Sequence, residues 1–397
     1  MFDKALAVFT FQAGYNTSIV MAGVVALGIG SGVIGVFPFL RKRTLISNAI
    51  SHATLPGIGL AFLIGVTLGG TGRNLMLLMA GAALTGALGI LAVQWIKDHT
   101  RLAEDTAIGT VLSVFFGFGI VLLSHIQTLK GGSPAGLNSF LLGSAAALTA
   151  AEAQLIVFSA AGVITISIIF FKEFGLVAFD KDFAAAQGWH TTRIDLIMMG
   201  LLLAIVTIGL KTAGLILVIA LVIIPPAAAW FWTMRYNRMI VLAGTIGGLS
   251  SWIGGTISAL VPKVPTGAVI VLVAAAIFTL SLLLAPTRGI IAWGIRHIFL
   301  KFQIAEACGL LAIANGFIPP DTLARKIMRW RGHLDVNGKL TQSGATAAED
   351  MQREQHLWFA YRERYPDAAR SLNPLTNGKI ESVLPPDILA ELENKST

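Results

Sequence analysis

Leu45-Ile-Ser-Asn-Ala-Ile-Ser-His-Ala-Thr-Leu-Pro-Gly-Ile-Gly59 is apolar enough to lie in a bilayer, yet a histidine stands at its centre. A histidine in hydrocarbon is costly and by default faces a cavity or pathway, so His52 marks a functional site. Eight further long apolar runs share the first 285 residues, with hardly an ionisable side chain inside them. The chain reads as an all-α polytopic membrane protein that conducts something past a histidine.

Working outward, the nine spans fall near 17–39, 46–66, 75–96, 106–124, 153–171, 194–210, 213–232, 240–260 and 266–285. Each is close to the ~20 residues that cross the hydrocarbon core. A tenth apolar stretch, Leu137 to Ala150, is too short to span and reads as re-entrant or interfacial. One set of loops holds thirteen Lys and Arg, including Arg41, Lys42, Arg43, Lys97 and Arg193; the opposite set holds five. Lysine and arginine mark cytoplasmic loops, which predicts an inner (cytoplasmic) membrane protein with its N-terminus outside and its long tail inside.

Composition agrees. Charged residues make up 13% and hydrophobic ones 55%, outside the range of soluble domains. The 42 glycines suit close helix packing in lipid, as in Gly28-x-x-x-Gly32 and Gly244-x-x-x-Gly248. The single cysteine, Cys308, excludes an internal disulfide, and Met1 to Asn16 lacks the pattern of a cleavable signal. The net charge of +8 belongs to the membrane loops, since the tail from residue 302 carries eleven Lys and Arg against twelve Asp and Glu. A near-neutral tail argues against nucleic acid as a partner.

Residues 1–300 therefore form a transmembrane domain and 301–397 a small cytoplasmic one. In the tail, Ile304 to Ala314 and Asp321 to Trp330 read as helices, Gly332 to Leu340 as a hairpin about Asn337-Gly338, and Ser343 to Tyr365 as a longer helix. Leu310, Leu311, Ile327, Leu340 and Trp358 are its expected core.

Asn48 and His52 are four apart and share one helix face. Pro56 has no N–H for the carbonyl of residue 52, which leaves a loose acceptor on that face. Imidazole, amide oxygen and carbonyl together suit a borderline divalent cation; a Pro-kinked packing helix is the plainer reading. Pro225-Pro226 is expected to kink the seventh span. In the loop 172–193, Asp180 to Gln187 predicts a short helix with Phe179 and Phe183 as apolar anchors and Gly188 as its stop, suited to a partner's groove or to the headgroups. No Gly-x-x-x-x-Gly-Lys-Ser/Thr run is present, so ATP-driven transport needs another subunit's ATPase.

Taken in order, Ser47 to Gly59, Glu104 to Ser124, Phe179 to Gly188, Ala213 to Ala227 and Pro265 to Val273 resemble one pattern. It is that of the membrane permease subunits of bacterial ABC importers for manganese, zinc and iron. The resemblance covers about residues 15–290. It implies a transported divalent metal with no permanently bound cofactor, and no enzymatic activity in this chain. It also implies a second permease subunit, cytoplasmic ATPase subunits and an extracytoplasmic metal-binding protein, with Phe179, Asp180, Phe183, Ala184 and Gly188 on the coupling helix. The family's gate motif is usually Asp-x-x-x-His; His52 matches, but the acidic position is Asn48. The tail, on Gly332 to Ala345 and Arg353 to Trp358, resembles the winged helix of diphtheria-toxin-repressor-type regulators, which implies an α+β fold. Two other functions stay open on the residues alone: a gradient-driven metal transporter and a membrane-tethered metal-responsive regulator.

Overall fold

In lipid every backbone polar group must be satisfied within the protein, which leaves helices as the economical solution for runs of this length. The structure, a computed structural model, describes residues 14–69, 74–128, 148–261, 264–317, 322–335, 338–369, 372 and 380–393. It divides into two units, Met1–Gly289 and Ile290–Thr397. The first holds α1 (Tyr15–Leu40), α2 (Leu45–Thr67), α3 (Leu75–His99), α4 (Glu104–Thr128), α5 (Ala150–Ile169), α6 (Phe171–Phe179), α7 (Lys181–Ala186), α8 (Thr191–Trp232), α9 (Tyr236–Leu260) and α10 (Thr266–Leu284). All but the last three residues of the expected re-entrant stretch Leu137 to Ala150 lie outside the described residues.

Helix α8 comprises two spans, Thr191–Leu210 and Gly214–Trp232. They break at Gly214, whose φ of 73° is left-handed backbone that glycine adopts without a Cβ clash. The sequence assigns the kinks to Pro56, Pro225 and Pro226. All three lie inside helices, and the non-helical residue within α8 is Gly214.

Packing follows from missing side chains. Helix α1 crosses α9 so closely that a Cβ on Gly28 would drive into the Gly247 carbonyl, and one on Gly32 into the Ala243 carbonyl. The contact pairs Gly28 with Gly247, one residue away from the Gly244-x-x-x-Gly248 stripe that spacing suggests. Helices α2 and α3 cross in the same way at Gly57 and Gly81. Ile34, Phe37, Ile58, Phe62, Leu202 and Ile205 fill the core between these crossings.

The second unit opens with α11 (Ile290–Ala314), followed by α12 (Thr322–Trp330), α13 (Gln342–Arg364) and the short helices α14 (Pro366–Ala369), α15 (Ile380–Val383) and α16 (Pro386–Glu393). Among the described residues ten helical segments are long and apolar enough to cross a bilayer, against nine expected; the extra one is α11. It runs through the expected domain boundary at 300/301. It also carries Arg296, His297, Lys301 and Glu306, and Glu306 meets Arg331 of its own unit at 3.1 Å.

The α+β tail needs correction. Among the described residues this unit is helical, with one isolated antiparallel bridge between Leu334 and Leu340 and no sheet. The reason is local. The Lys339 amide donates to the Asp335 carboxylate at 2.8 Å, and Thr341 caps α13 at once by accepting from the Gly344 N–H at 3.1 Å. The chain therefore passes from a single bridge straight into a helix, leaving no length for longer strands; Val336 and Asn337 lie outside the described residues. Leu310, Ile327 and Trp358 are buried as expected, whereas Leu340 is exposed and Leu311 half-buried.

Because the partner atoms at Gly28 and Gly247 are backbone, neither helix can yield locally. Gly247→Val should destabilise the membrane unit by about 1–3 kcal/mol, the usual range for overpacking. Thermal unfolding in detergent reads this, with the half-buried Gly162→Val, where an added Cβ meets nothing within 4 Å, as the neutral comparison.

Candidate functional site: a histidine face and a loop helix

Helix α2 is buried on the face that carries Ile46, Ala49, Ile50, Ala53 and Ile58, while Asn48 and His52 lie half-buried on another. The helix's own hydroxyls are already used. Ser47 Oγ donates to the Thr44 carbonyl at 2.7 Å, Ser51 Oγ to Ser47 at 2.8 Å, and Thr54 Oγ1 to Ser51 at 2.6 Å. His52 differs, for its Nδ1 is buried and has no hydrogen-bond partner. A buried nitrogen left unbonded costs free energy unless something takes it.

Helix α4 forms the second wall of the site. The Phe116 ring meets the His52 ring edge-on, with centroids 4.8 Å apart at 79°. The two helices approach this closely because residue 119 is glycine; a Cβ there would come within 2.7 Å of Leu55 Cβ and 3.3 Å of Pro56 Cδ. Leu55 and Pro56 thus face α4 where it seats against α2. No cluster of three or more His, Cys, Asp or Glu side chains fit to hold a metal occurs among the described residues. A cation at His52 has Asn48 as its neighbour on the same helix face, not an acid.

The loop reads much as its residues suggest. Asp180 caps α7 by accepting from the Phe183 N–H at 2.9 Å. Gly188 ends it with a φ of 86°. Phe179 and Phe183 are 66% and 50% exposed. Ala184 is fully buried within its own chain, so it anchors α7 and is not open to a partner. Helix α6 holds the loop in place: Phe174 packs edge-on to Phe37 at 5.0 Å, and Tyr236 lies 4.6 Å from the Phe171 ring while donating its hydroxyl to the Phe171 carbonyl at 3.0 Å. Trp189 stands 44% exposed just past Gly188.

A cluster that the sequence reading did not single out lies at the ends of α1, α3, α4 and α8. Asp195 is 3% exposed and paired with both Arg41 and Arg43, the latter at 2.7 Å. Arg43 also reaches Glu104 at 2.6 Å, and Glu104 reaches Lys97 at 3.2 Å. Burial pulls the Arg41 guanidinium below its ordinary value, and Asp195 opposes that pull. In the sequence these cations count only as loop charges; an aspartate in the first turns of an apolar span was the available signal.

The turn that aims the two arginines ends α1 in a Schellman arrangement. Arg43 N donates to the Pro38 carbonyl at 2.8 Å and Lys42 N to Phe39 at 3.0 Å. Lys42 takes the left-handed position that glycine usually fills, with φ 57°.

Residues 15–285 match the ABC 3 transport family, and the chain belongs to it. The manganese transport system membrane protein MntC of Bacillus subtilis is 42% identical over 299 residues, 75% of this chain and 67% of that protein. The zinc transport system membrane protein TroC of Treponema pallidum is 38% identical over 285 residues, 72% of this chain and 94% of that one. Among solved structures, PsaBC from Streptococcus pneumoniae in complex with Fab matches with a TM-score of 0.63 at 28% identity, covering 76% of this chain and all of that one.

A lysine held at a left-handed position costs roughly 1–2 kcal/mol that glycine does not. Lys42→Gly should therefore raise thermal stability in detergent, and Lys42→Val should lower it. Equal melting midpoints for the two would show that the turn carries no strain.

Proposed function

We propose that this chain is the membrane permease of an ABC importer that brings manganese or zinc into the cytoplasm. The observation that carries the metal contact is His52, a family gate position with a buried, unbonded imidazole nitrogen on the same face as Asn48. A neutral imidazole is a good ligand for both metals, and an amide oxygen favours the harder manganese ion. The relatives named for manganese and zinc transport support that pair of substrates.

Asn48 cannot neutralise a divalent charge, so His52 and Asn48 form half a gate. A second permease, of the same or a homologous chain, supplies the rest. An extracytoplasmic metal-binding protein delivers the ion, and cytoplasmic ATPase subunits drive its release. With nine spans crossing the bilayer, the N-terminus lies outside and the tail, residues 301–397, in the cytoplasm, as loop charge suggests. Helix α7 is the ATPase contact, through Phe179 and Phe183, with Ala184 holding it from behind. The absence of a phosphate-binding loop in this chain agrees with hydrolysis by a partner.

The gate is tested by uptake of each metal into proteoliposomes holding the complete transporter. His52→Ala should abolish uptake with assembly intact, and Asn48→Asp should retain metal more tightly and turn over more slowly. Full uptake by His52→Ala would remove the assignment.

The loop has its own test. Phe183→Asp places a charge in an apolar contact, at a cost of several kcal/mol when unpaired. The ATPase should no longer co-purify, or should hydrolyse ATP without response to metal. Normal co-purification and coupling would leave α7 resting on lipid headgroups.

A further inference from the structure

The His52 site is pinched between two helices, and both are tied at their ends to one buried ionic cluster. Helix α2 starts directly from the turn that holds Arg43: Ile46 N donates to the Arg43 carbonyl at 3.0 Å, and Asn48 and His52 follow within two turns. Helix α4, which carries Phe116, starts at Glu104, and Glu104 is bound to Arg43. Arg43 in turn is bound to Asp195 near the start of α8.

Asp195 leads back to the loop helix. The link from α7 to α8 is short and internally bonded: Trp189 N donates to the Ala184 carbonyl at 3.1 Å, Thr191 N to Trp189 at 2.9 Å, and Ile194 N to His190 at 3.2 Å. Ala184 and Ile194 are buried in the same core. No slack segment separates α7 from Asp195.

We propose that Asp195 is a positioning residue of the transport cycle: through Arg41 and Arg43 it makes α7 and the helices that flank His52 move as one body. This rests on the reading of α7 as the ATPase contact and of His52 as the metal contact. The chemistry suits the role. A buried carboxylate shared by two guanidiniums tolerates neither sliding nor separation, because either motion strands a charge in a low-dielectric site. An apolar contact at the same place would let the helices slip. Energetic coupling between distant sites needs such an element, one that both ends bias.

The test uses the complete transporter, with its co-purifying ATPase, in proteoliposomes. It measures manganese taken up per ATP hydrolysed. Asp195→Asn should leave assembly and basal hydrolysis in place and lower that ratio roughly tenfold, within the usual range of coupling between sites. Arg43→Gln should do the same, and the double variant should be no worse than either single one, since both cut one link. A residue that only stabilises the fold would reduce assembly, hydrolysis and uptake together and leave the ratio untouched, which overturns the proposal.

If Asp195→Asn does not assemble, Asp195→Leu with Arg41→Met replaces the buried pair by apolar groups of similar size, an exchange that proteins tolerate. A lowered ratio in that variant supports the proposal, and a normal ratio overturns it. Failure of both to assemble assigns the cluster to folding alone and also overturns it. His52→Ala run alongside separates the two layers. If it loses uptake while the Asp195 variants keep their ratio, only the positioning role falls; if it transports normally, the reading beneath falls.

Discussion

A polar group at membrane depth has no water to turn to, and most of this structure can be read as the answer to that constraint. The serine and threonine hydroxyls of α2 donate to carbonyls of their own helix or of the turn before it. Asp195 is matched by Arg41 and Arg43, and Glu104 by Arg43 and Lys97. His52 is the informative exception on α2, since its Nδ1 is buried and unmatched. On α2 that nitrogen stands apart from hydroxyls that are all paired.

The same constraint explains how the walls are built. Lipid offers no hydrophobic drive between helices, so they hold together by close packing, and close packing needs backbone within reach of backbone. Gly57 against Gly81 fixes α2 on α3, and Gly119 lets α4 settle on Leu55 and Pro56. The position of the His52 ring thus follows from missing side chains on its neighbours. Phe116 then closes the remaining side at ring contact.

Much of this was legible in the sequence, and the limits have physical causes. Apolar runs of span length declare themselves, because each is a local property of about twenty residues. His52 and Asn48 were readable since i, i+4 spacing on a helix is local too. Asp180 and Gly188 carry the cap and the stop of α7 within nine residues. What could not be read is pairing across the fold. Arg41 and Arg43 look like loop charges until Asp195, more than 150 residues on, is brought to them. Whether a glycine faces a backbone is likewise decided by the helix opposite, which is why Gly247 and not Gly244 meets Gly28. The tail misled in extent: the hairpin expected over Gly332 to Leu340 closes with a single bridge between Leu334 and Leu340, and the Thr341 cap takes the chain into α13 before a sheet can form.

Asn48 shows how local residues constrain the assembly. An acid at that position beside His52 would give each permease a ligand pair able to offset half of a divalent charge or more. An amide offers a dipole and no charge, so in the proposed gate this chain alone would attract the ion more weakly and release it more easily. Two copies facing one another would supply two imidazoles and two amide oxygens with no negative charge among them. A partner bearing an acid would restore the charge and make the gate asymmetric. In the proposed gate the residue opposite Asn48 would decide between fast passage and firm selection. Firm coordination is of use only if a gate opens on command, so in the proposed cycle the more tightly the complete site held its ion, the more transport would depend on a stiff connection such as the Asp195 cluster between α7 and His52.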